Sequence, residues 1–164
     1  LMKAETFETL TVSQLYDGHE GNRDAHHLTW IDSLESLKEL QAAGRAKVIM
    51  LSYPQTLALD QTPNEHQLAA MQAAVMEVTL QKGWNTDSVM VYLDTFSAPK
   101  DLKTMANLAF DSIYLNAKSV DAFVVVPSFE EVGNAGENMV KGDLSLYERL
   151  PLCRALVLAR CCGA

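Results

Sequence analysis

The sequence has few cysteines, and they are grouped at one end. There are three in 164 residues, Cys153, Cys161 and Cys162. An odd number cannot form a closed disulfide framework, and the adjacent pair lacks the two-residue spacer of redox and zinc motifs. The cysteines are therefore interpreted as small apolar residues on a buried helix. We expect a reducing intracellular compartment, either cytoplasmic or, after loss of a targeting segment, organellar.

Positive charge and long apolar runs are also scarce. The chain has 13 Lys and Arg against 21 Asp and Glu, a formal net charge of -8. That charge repels a phosphate backbone, and no Lys/Arg cluster provides a local exception. The longest apolar stretches, residues 120–127 and 150–159, are much shorter than the roughly 20 residues that span a bilayer. The sequence therefore predicts neither a nucleic-acid partner nor a transmembrane segment.

The overall composition is that of a globular domain. Hydrophobic residues make up 48% of the chain and charged residues 21%, close to the average for globular proteins. We expect a leader with a short amphipathic helix at residues 1–45 and one α/β domain at residues 46–164. The sequence begins Leu1-Met2 without a signal-peptide profile, so we also expect a piece of a longer or processed product.

Two capping patterns predict helices. Asp32 followed by Glu35 resembles a capping box, and leucines recur at helical spacing until Gly44. A second, longer helix is predicted to start with Thr62 as its N-cap and to end at Gly83. The residues of this helix that we expect to fill the core are Leu68, Met71, Val75, Met76 and Val78.

Three apolar runs bounded by turn residues predict strands at residues 47–53, 88–94 and 121–127. Helices between these strands imply right-handed crossovers and a mostly parallel sheet. Functional groups then collect at the carboxyl ends of the strands, where Asp94 is the most prominent. Residues 129–146, rich in Gly, Asn, Glu and Lys, are predicted to form a long mobile loop at that edge.

Histidines near the N-terminus do not predict a metal site. His19, His26 and His27 have no cysteine nearby, and the carboxylates of Glu20 and Asp24 fit no helical ligand spacing. A solvated loop explains these residues better than a metal ion does.

Several stretches together carry a resemblance to a known family. Residues 91–100 read Val-Tyr-Leu-Asp-Thr-Phe-Ser-Ala-Pro-Lys, and residues 111–117 read Asp-Ser-Ile-Tyr-Leu-Asn-Ala. Leu51-Ser52-Tyr53 precedes them, and the pairs Tyr147-Glu148 and Cys153-Arg154 follow. With these motifs, residues 46–160 resemble the heterokaryon-incompatibility (HET) domains and the related TIR-like proteins of algae and protists.

The resemblance implies a flavodoxin-like (TIR-like), mostly parallel sheet that is truncated after the third strand-helix unit. Its third strand would lack a neighbour, so a protein partner or a second copy would cover residues 122–126 or the apolar segment 150–162. The resemblance also implies a set of site residues. The implied catalytic residues are Asp94, Ser97 and Glu148, and the implied nucleotide-binding residues are Ser52, Tyr53, Asp94, Ser97 and Tyr147.

The chain departs from the family pattern at the position that matters most for chemistry. Leu156 stands where the catalytic glutamate is expected, and Leu152 and Gln55 replace tryptophans. Leucine can neither accept the hydrogen bonds of the nicotinamide ribose nor stabilise developing positive charge. The resemblance then implies a non-catalytic interaction module, a pseudoenzyme that serves as a structural subunit of a larger assembly.

Two alternatives stay open. The first is an enzyme of signalling or cell death that cleaves NAD or processes a nucleotide, with a carboxylate borrowed from Glu148 or Asp143. The second is a scaffold in which Asp94 only caps the following segment and Ser97 bonds to the backbone, as such residues commonly do after a strand.

Overall fold

The computed structural model describes residues 1–17, 29, 31, 33–53, 63–93, 119–126, 128–132 and 139–143. These ranges contain both helices and strands, with α4 (Glu65–Gln81) between the core strands β2 (Lys47–Ser52) and β3 (Val89–Tyr92). In order, the elements are β1 (Met2–Lys3), α1 (Ala4–Glu8), α2 (Val12–Asp17), α3 (Leu34–Ala42), β2 (Lys47–Ser52), α4 (Glu65–Gln81), a 3-10 turn (Thr86–Ser88), β3 (Val89–Tyr92), β4 (Ala122–Val125), β5 (Ser128–Val132) and β6 (Met139–Asp143).

Four of the strands form one mixed sheet in the order β1-β3-β2-β4. The central strand β2 is parallel to both neighbours, with Ile49 opposite Val91 of β3 and opposite Ala122 of β4. The outer strand β1 is antiparallel to β3, with Met2 opposite Val91. The predicted α/β class is therefore confirmed, as are the three predicted core strands.

Both faces of the sheet are apolar. Strands with two apolar faces are buried only if other elements pack against each face. Alternate side chains of β2, such as Ile49 and Leu51, pack with α1 and α4 into the larger core cluster. The intervening ones, such as Val48 and Met50, form a smaller cluster against which Leu37 of α3 packs. This alternation is the period of two that a strand imposes, and it fixes which residues each helix covers.

The N-terminal segment takes part in the same core. Met2 and Phe7 are fully buried in the larger cluster. The side-chain amide of Gln72 on α4 donates to the carbonyl oxygens of Phe7 and Leu10, both at 2.9 Å. A two-residue strand is too short to show an alternating pattern, so nothing in residues 1–10 predicts β1.

Both predicted helix starts are corrected by the structure. The cap of α3, predicted at Asp32, is Ser33, whose hydroxyl accepts from the backbone N–H of Ser36. Asn64 caps α4, and a reciprocal capping box joins it to Gln67. The two motifs lie one and two residues further along, because the chain contains overlapping cap-forming residues. Both predicted stops are confirmed, since Gly44 and Gly83 have φ values of 70° and 62°.

Two further predictions are wrong. Met76 is 39% exposed, and so does not fill the core as Met71 does. Part of the predicted loop at residues 129–146 is instead an antiparallel hairpin, in which Phe129 lies opposite Gly142. Pairing β5 with β6 satisfies backbone groups of each strand locally. No helix in the described ranges is long and apolar enough to cross a membrane.

Candidate functional site

The carboxyl ends of the parallel strands form the edge at which the sequence predicts a site. After β2 the chain continues to β3 on one side, and β4 then lies on the other side of β2. The direction of winding therefore reverses between β2 and β4. In open α/β sheets, ligands bind at this kind of reversal, outside the carboxyl ends of the strands. There, the backbone N–H of Val126 donates to the carbonyl oxygen of Ser52 at 2.8 Å.

Two of the predicted nucleotide-binding residues lie at this edge. Ser52 is the last residue of β2 and is half-buried, and Tyr53 follows it directly. Tyr53 is only 7% exposed and belongs to the larger core cluster, together with Leu68 and Val126. Its ring thus helps to fill the core between β2 and α4, and Ser52 lies nearer to solvent.

The remaining predicted site residues lie outside the described residues. They are Asp94, Ser97, Tyr147 and Glu148, and the same holds for Leu156, the apolar segment 150–162 and the three N-terminal histidines. Asp143 is the last residue of β6, and its backbone is described.

A polar cluster that sequence analysis missed lies at the opposite, amino end of β2 and β4. One carboxylate oxygen of Asp121, Oδ2, accepts from the Gln41 side-chain amide at 2.7 Å and from the backbone N–H of Val48 at 2.9 Å. The other, Oδ1, accepts from the ammonium of Lys47 at 3.3 Å. Gln41 also donates to the backbone carbonyl of Ser119 at 2.7 Å.

These contacts make Asp121 a connector between α3, β2 and β4. Its backbone N–H donates to the carbonyl of Val48 at 2.8 Å, so main chain and side chain both hold the same strand. The Lys47 ammonium also lies 5.9 Å from the centre of the Trp84 ring, within range of a cation-π contact. The chemistry of this cluster is structural, because each named contact of the carboxylate is to another part of the chain. The sequence signal that could have indicated this cluster is the pair of charged residues at the starts of the two strands, Lys47 for β2 and Asp121 for β4.

Backbone hydrogen bonds join residue 29 to the start of β1. The backbone nitrogen of Leu1 donates to the carbonyl oxygen of Thr29 at 3.1 Å, and the N–H of Thr29 donates back to the Leu1 carbonyl at 2.7 Å.

The described ranges contain no group of three His, Cys, Asp or Glu side chains that could hold a metal ion. The site that the geometry supports is the edge formed by the carboxyl ends of the parallel strands, with the buried Tyr53 and the half-buried Ser52. No protein-family model matches the sequence, and no curated protein or solved structure is significantly similar to it.

Proposed function

We propose that the chain is a non-catalytic interaction module of the TIR-like or HET-like type, and that it binds a protein partner or a second copy along β4. The observation that carries this proposal is the position of β4. Within the described part of the chain, its one strand neighbour is β2, on one side. A strand edge that presents unpaired backbone groups is a template for another strand.

The order of the parallel strands supports the family part of the proposal. With the strands numbered by the parallel core alone, β2, β3 and β4 are first, second and third, and they lie in the order second-first-third. A flavodoxin-like sheet begins with the same 2-1-3 arrangement. The antiparallel β1 is an addition to that arrangement, outside β3.

The composition of β4 supports the interaction part. All four of its residues are apolar, and all four are half-buried, unlike the buried residues of β3. Covering the remaining apolar surface would contribute about 25 cal/mol per Å² removed from water. An edge strand that is exposed to water is normally protected by charged residues, proline or a bulge. The Ala-Phe-Val-Val sequence of β4 contains no charged residue and no proline.

The test uses Val125, whose N–H points away from β2. The N–H of the next residue, Val126, donates to Ser52, and alternate residues of a strand direct their backbone groups to opposite sides. Val125→Pro should therefore block strand addition and keep the β2 pairing, whereas Val125→Thr keeps the N–H and serves as control. Circular dichroism establishes that both variants are folded.

The full chain is measured by light scattering after size exclusion, alone and in a native extract. We expect wild type and Val125→Thr to form particles heavier than the 18.1 kDa monomer, and Val125→Pro to remain monomeric. A well-folded wild-type monomer without partners, or a proline variant that assembles normally, would remove the basis of the proposal.

The second candidate is an enzyme that cleaves NAD, and one observation favours it. Ser52 ends β2 and Tyr53 follows it, beside the reversal of winding between β2 and β4. In open α/β sheets, nucleotides bind at reversals of this kind. The full chain is incubated with NAD, and nicotinamide is sought by chromatography. The enzyme hypothesis would be supported if the chain releases nicotinamide, if Asp94→Asn abolishes that release, and if Val125→Pro leaves it unchanged. No release at an enzyme concentration equal to that of NAD would refute it.

A further inference from the structure

Helix α4 has a second apolar face that points away from the core. The residues of this face, which we call the outer stripe, are Ala69, Ala73, Met76 and Leu80, and all four are exposed. Leu80 exposes 72% of its surface and Met76 exposes 39%. With about 100° of rotation per residue, the outer stripe lies roughly 150° around the helix from the buried stripe of Leu68, Met71 and Val75.

A helix that covers one side of a sheet normally places polar residues on its opposite side. In α4 only part of that side is polar: His66 and Glu77 lie opposite the buried stripe, and the apolar outer stripe lies between them and Glu65. Its ionisable side chains are Glu65, His66 and Glu77, which lie beside the outer stripe. A contiguous apolar strip rimmed by polar residues is typical of a protein-protein contact, and none of the four side chains of the outer stripe belongs to the core of the described residues.

We propose that the outer stripe binds an amphipathic helix of a partner protein whose apolar residues are flanked by lysine or arginine. The spacing of four, three and four residues along the stripe is that of one side of a helix pair. The two alanines allow close approach at one end, and the larger Met76 and Leu80 provide side chains that insert between partner residues at the other.

Charge complementarity selects a basic partner. The stripe is flanked by Glu65 and Glu77, and α4 contains no Lys or Arg. A basic helix would place its lysines beside these two carboxylates, which favours both encounter and register. A second copy of the chain would instead bring the same two glutamates and another net charge of -8 to the contact.

This surface is independent of the edge strand. Strand addition along β4 would use backbone groups, whereas the outer stripe uses side chains of a helix on the side turned away from the sheet. The inference therefore rests neither on the family resemblance nor on the proposed function.

The experiment compares two labelled synthetic peptides by fluorescence anisotropy with the full chain. Both carry leucine at the a and d positions of a heptad, and the flanking e and g positions are lysine in one and glutamate in the other. We expect the lysine peptide to bind, and to bind at least about tenfold more tightly than the glutamate peptide at low salt.

Variants locate the contact. The double change Met76→Ser with Leu80→Ser should weaken binding of the lysine peptide about tenfold or more, because it removes the two large anchors. The matched control is Leu34→Ser on α3, since Leu34 is also an exposed leucine, at 36%, and should leave binding unchanged. Glu77→Gln should reduce the difference in affinity between the lysine and glutamate peptides. Val125→Pro should leave the affinity for both peptides unchanged.

Several results would overturn the inference: equal binding of both peptides, no binding of either, or binding that the double variant retains. Self-association of the chain that the double variant abolishes would assign the stripe to a second copy instead. If the double variant does not fold, Glu77→Gln and the salt dependence of the lysine peptide still decide the matter, because an unchanged preference contradicts the charge argument.

Discussion

At the scale of single residues, Asp121 shows how one side chain can fix the meeting of three elements. Its carboxylate accepts from Gln41 of α3, from Lys47 and from the backbone of β2. Removing an acceptor leaves these donors without a partner in a partly buried place, which costs more than the bond itself is worth. Removing the cation costs less, because the ion pair is partly in water.

Asp121→Ala is therefore expected to lower the free energy of unfolding by about 2 kcal/mol. The matched control, Lys47→Met, should lower it by less than about 1 kcal/mol, since the side chains of Lys47 and Asp121 are 30% and 18% exposed. Urea denaturation monitored by circular dichroism gives both values. Equal losses in the two variants would show that the ion pair, and not the bonds to Gln41 and Val48, carries the stabilisation.

The two methionines of α4 provide a second test at this scale. Met71 is fully buried in the larger core cluster, whereas Met76 belongs to the outer stripe. Met71→Ala should lower the free energy of unfolding by about 2–5 kcal/mol, because it removes buried apolar surface and leaves a cavity. Met76→Ala should lower it by less than about 0.5 kcal/mol. Comparable losses measured by urea denaturation would contradict the packing described for this helix.

At the scale of elements, α4 depends on a cap that the sequence places ambiguously. Thr62, Asn64 and the residues after them offer overlapping capping patterns, and only one is used. The Asn64 side chain accepts from the N–H of Gln67 at 2.8 Å, and the Gln67 side chain accepts from the N–H of Asn64 at 3.0 Å. The start of the helix is therefore set by this reciprocal pair.

Asn64→Ala is expected to destabilise the protein by about 1 kcal/mol, because it leaves one helix N–H without its acceptor. Asn64→Asp keeps an acceptor and adds a favourable charge at the helix start, so it should be close to neutral. Thermal unfolding followed by circular dichroism distinguishes the two. A loss on Thr62→Ala equal to the loss on Asn64→Ala would place the cap two residues earlier.

At the scale of the whole molecule, the N-terminal segment and the sheet domain share one core. β1 adds an antiparallel strand beside β3, and Phe7 lies in the cluster that contains Ile49 and Val75. Gln72 connects the two parts through its bonds to the carbonyls of Phe7 and Leu10. These residues are far apart in the sequence, so the connection forms only when the domain folds.

Gln72→Ala should therefore increase amide hydrogen exchange across residues 2–10 and lower the free energy of unfolding by about 1 kcal/mol. The control is Gln81→Ala on the same helix, because the Gln81 amide donates only locally, to Glu77 Oε1 at 2.6 Å. Gln81→Ala should leave exchange in residues 2–10 unchanged. Unaltered exchange in Gln72→Ala would show that the N-terminal segment is held by apolar packing alone.

The sequence was sufficient to predict the α/β class, the three parallel strands and the C-terminal ends of α3 and α4. These features depend on local chemistry, which apolar runs, helical spacing and the two glycines express directly. It also predicted that Ser52 and Tyr53 would lie at a strand end, since that follows from the limits of β2. The other predicted site residues lie outside the described ranges, and the family resemblance that selected them stays a prediction.

Which elements contact one another depends on tertiary packing and could not be read from the sequence. β1 is too short to leave a pattern, and the sequence offers both Thr62 and Asn64 as a cap for α4. The contacts of Asp121 with Gln41 and Val48 join residues more than 70 positions apart. The exposure of Met76 and Leu80 was equally hidden, because an apolar residue on a helix looks the same in sequence whether it faces the core or the solvent. Packing alone distinguishes the two, and it leaves α4 with one apolar face in the core and one exposed to solvent.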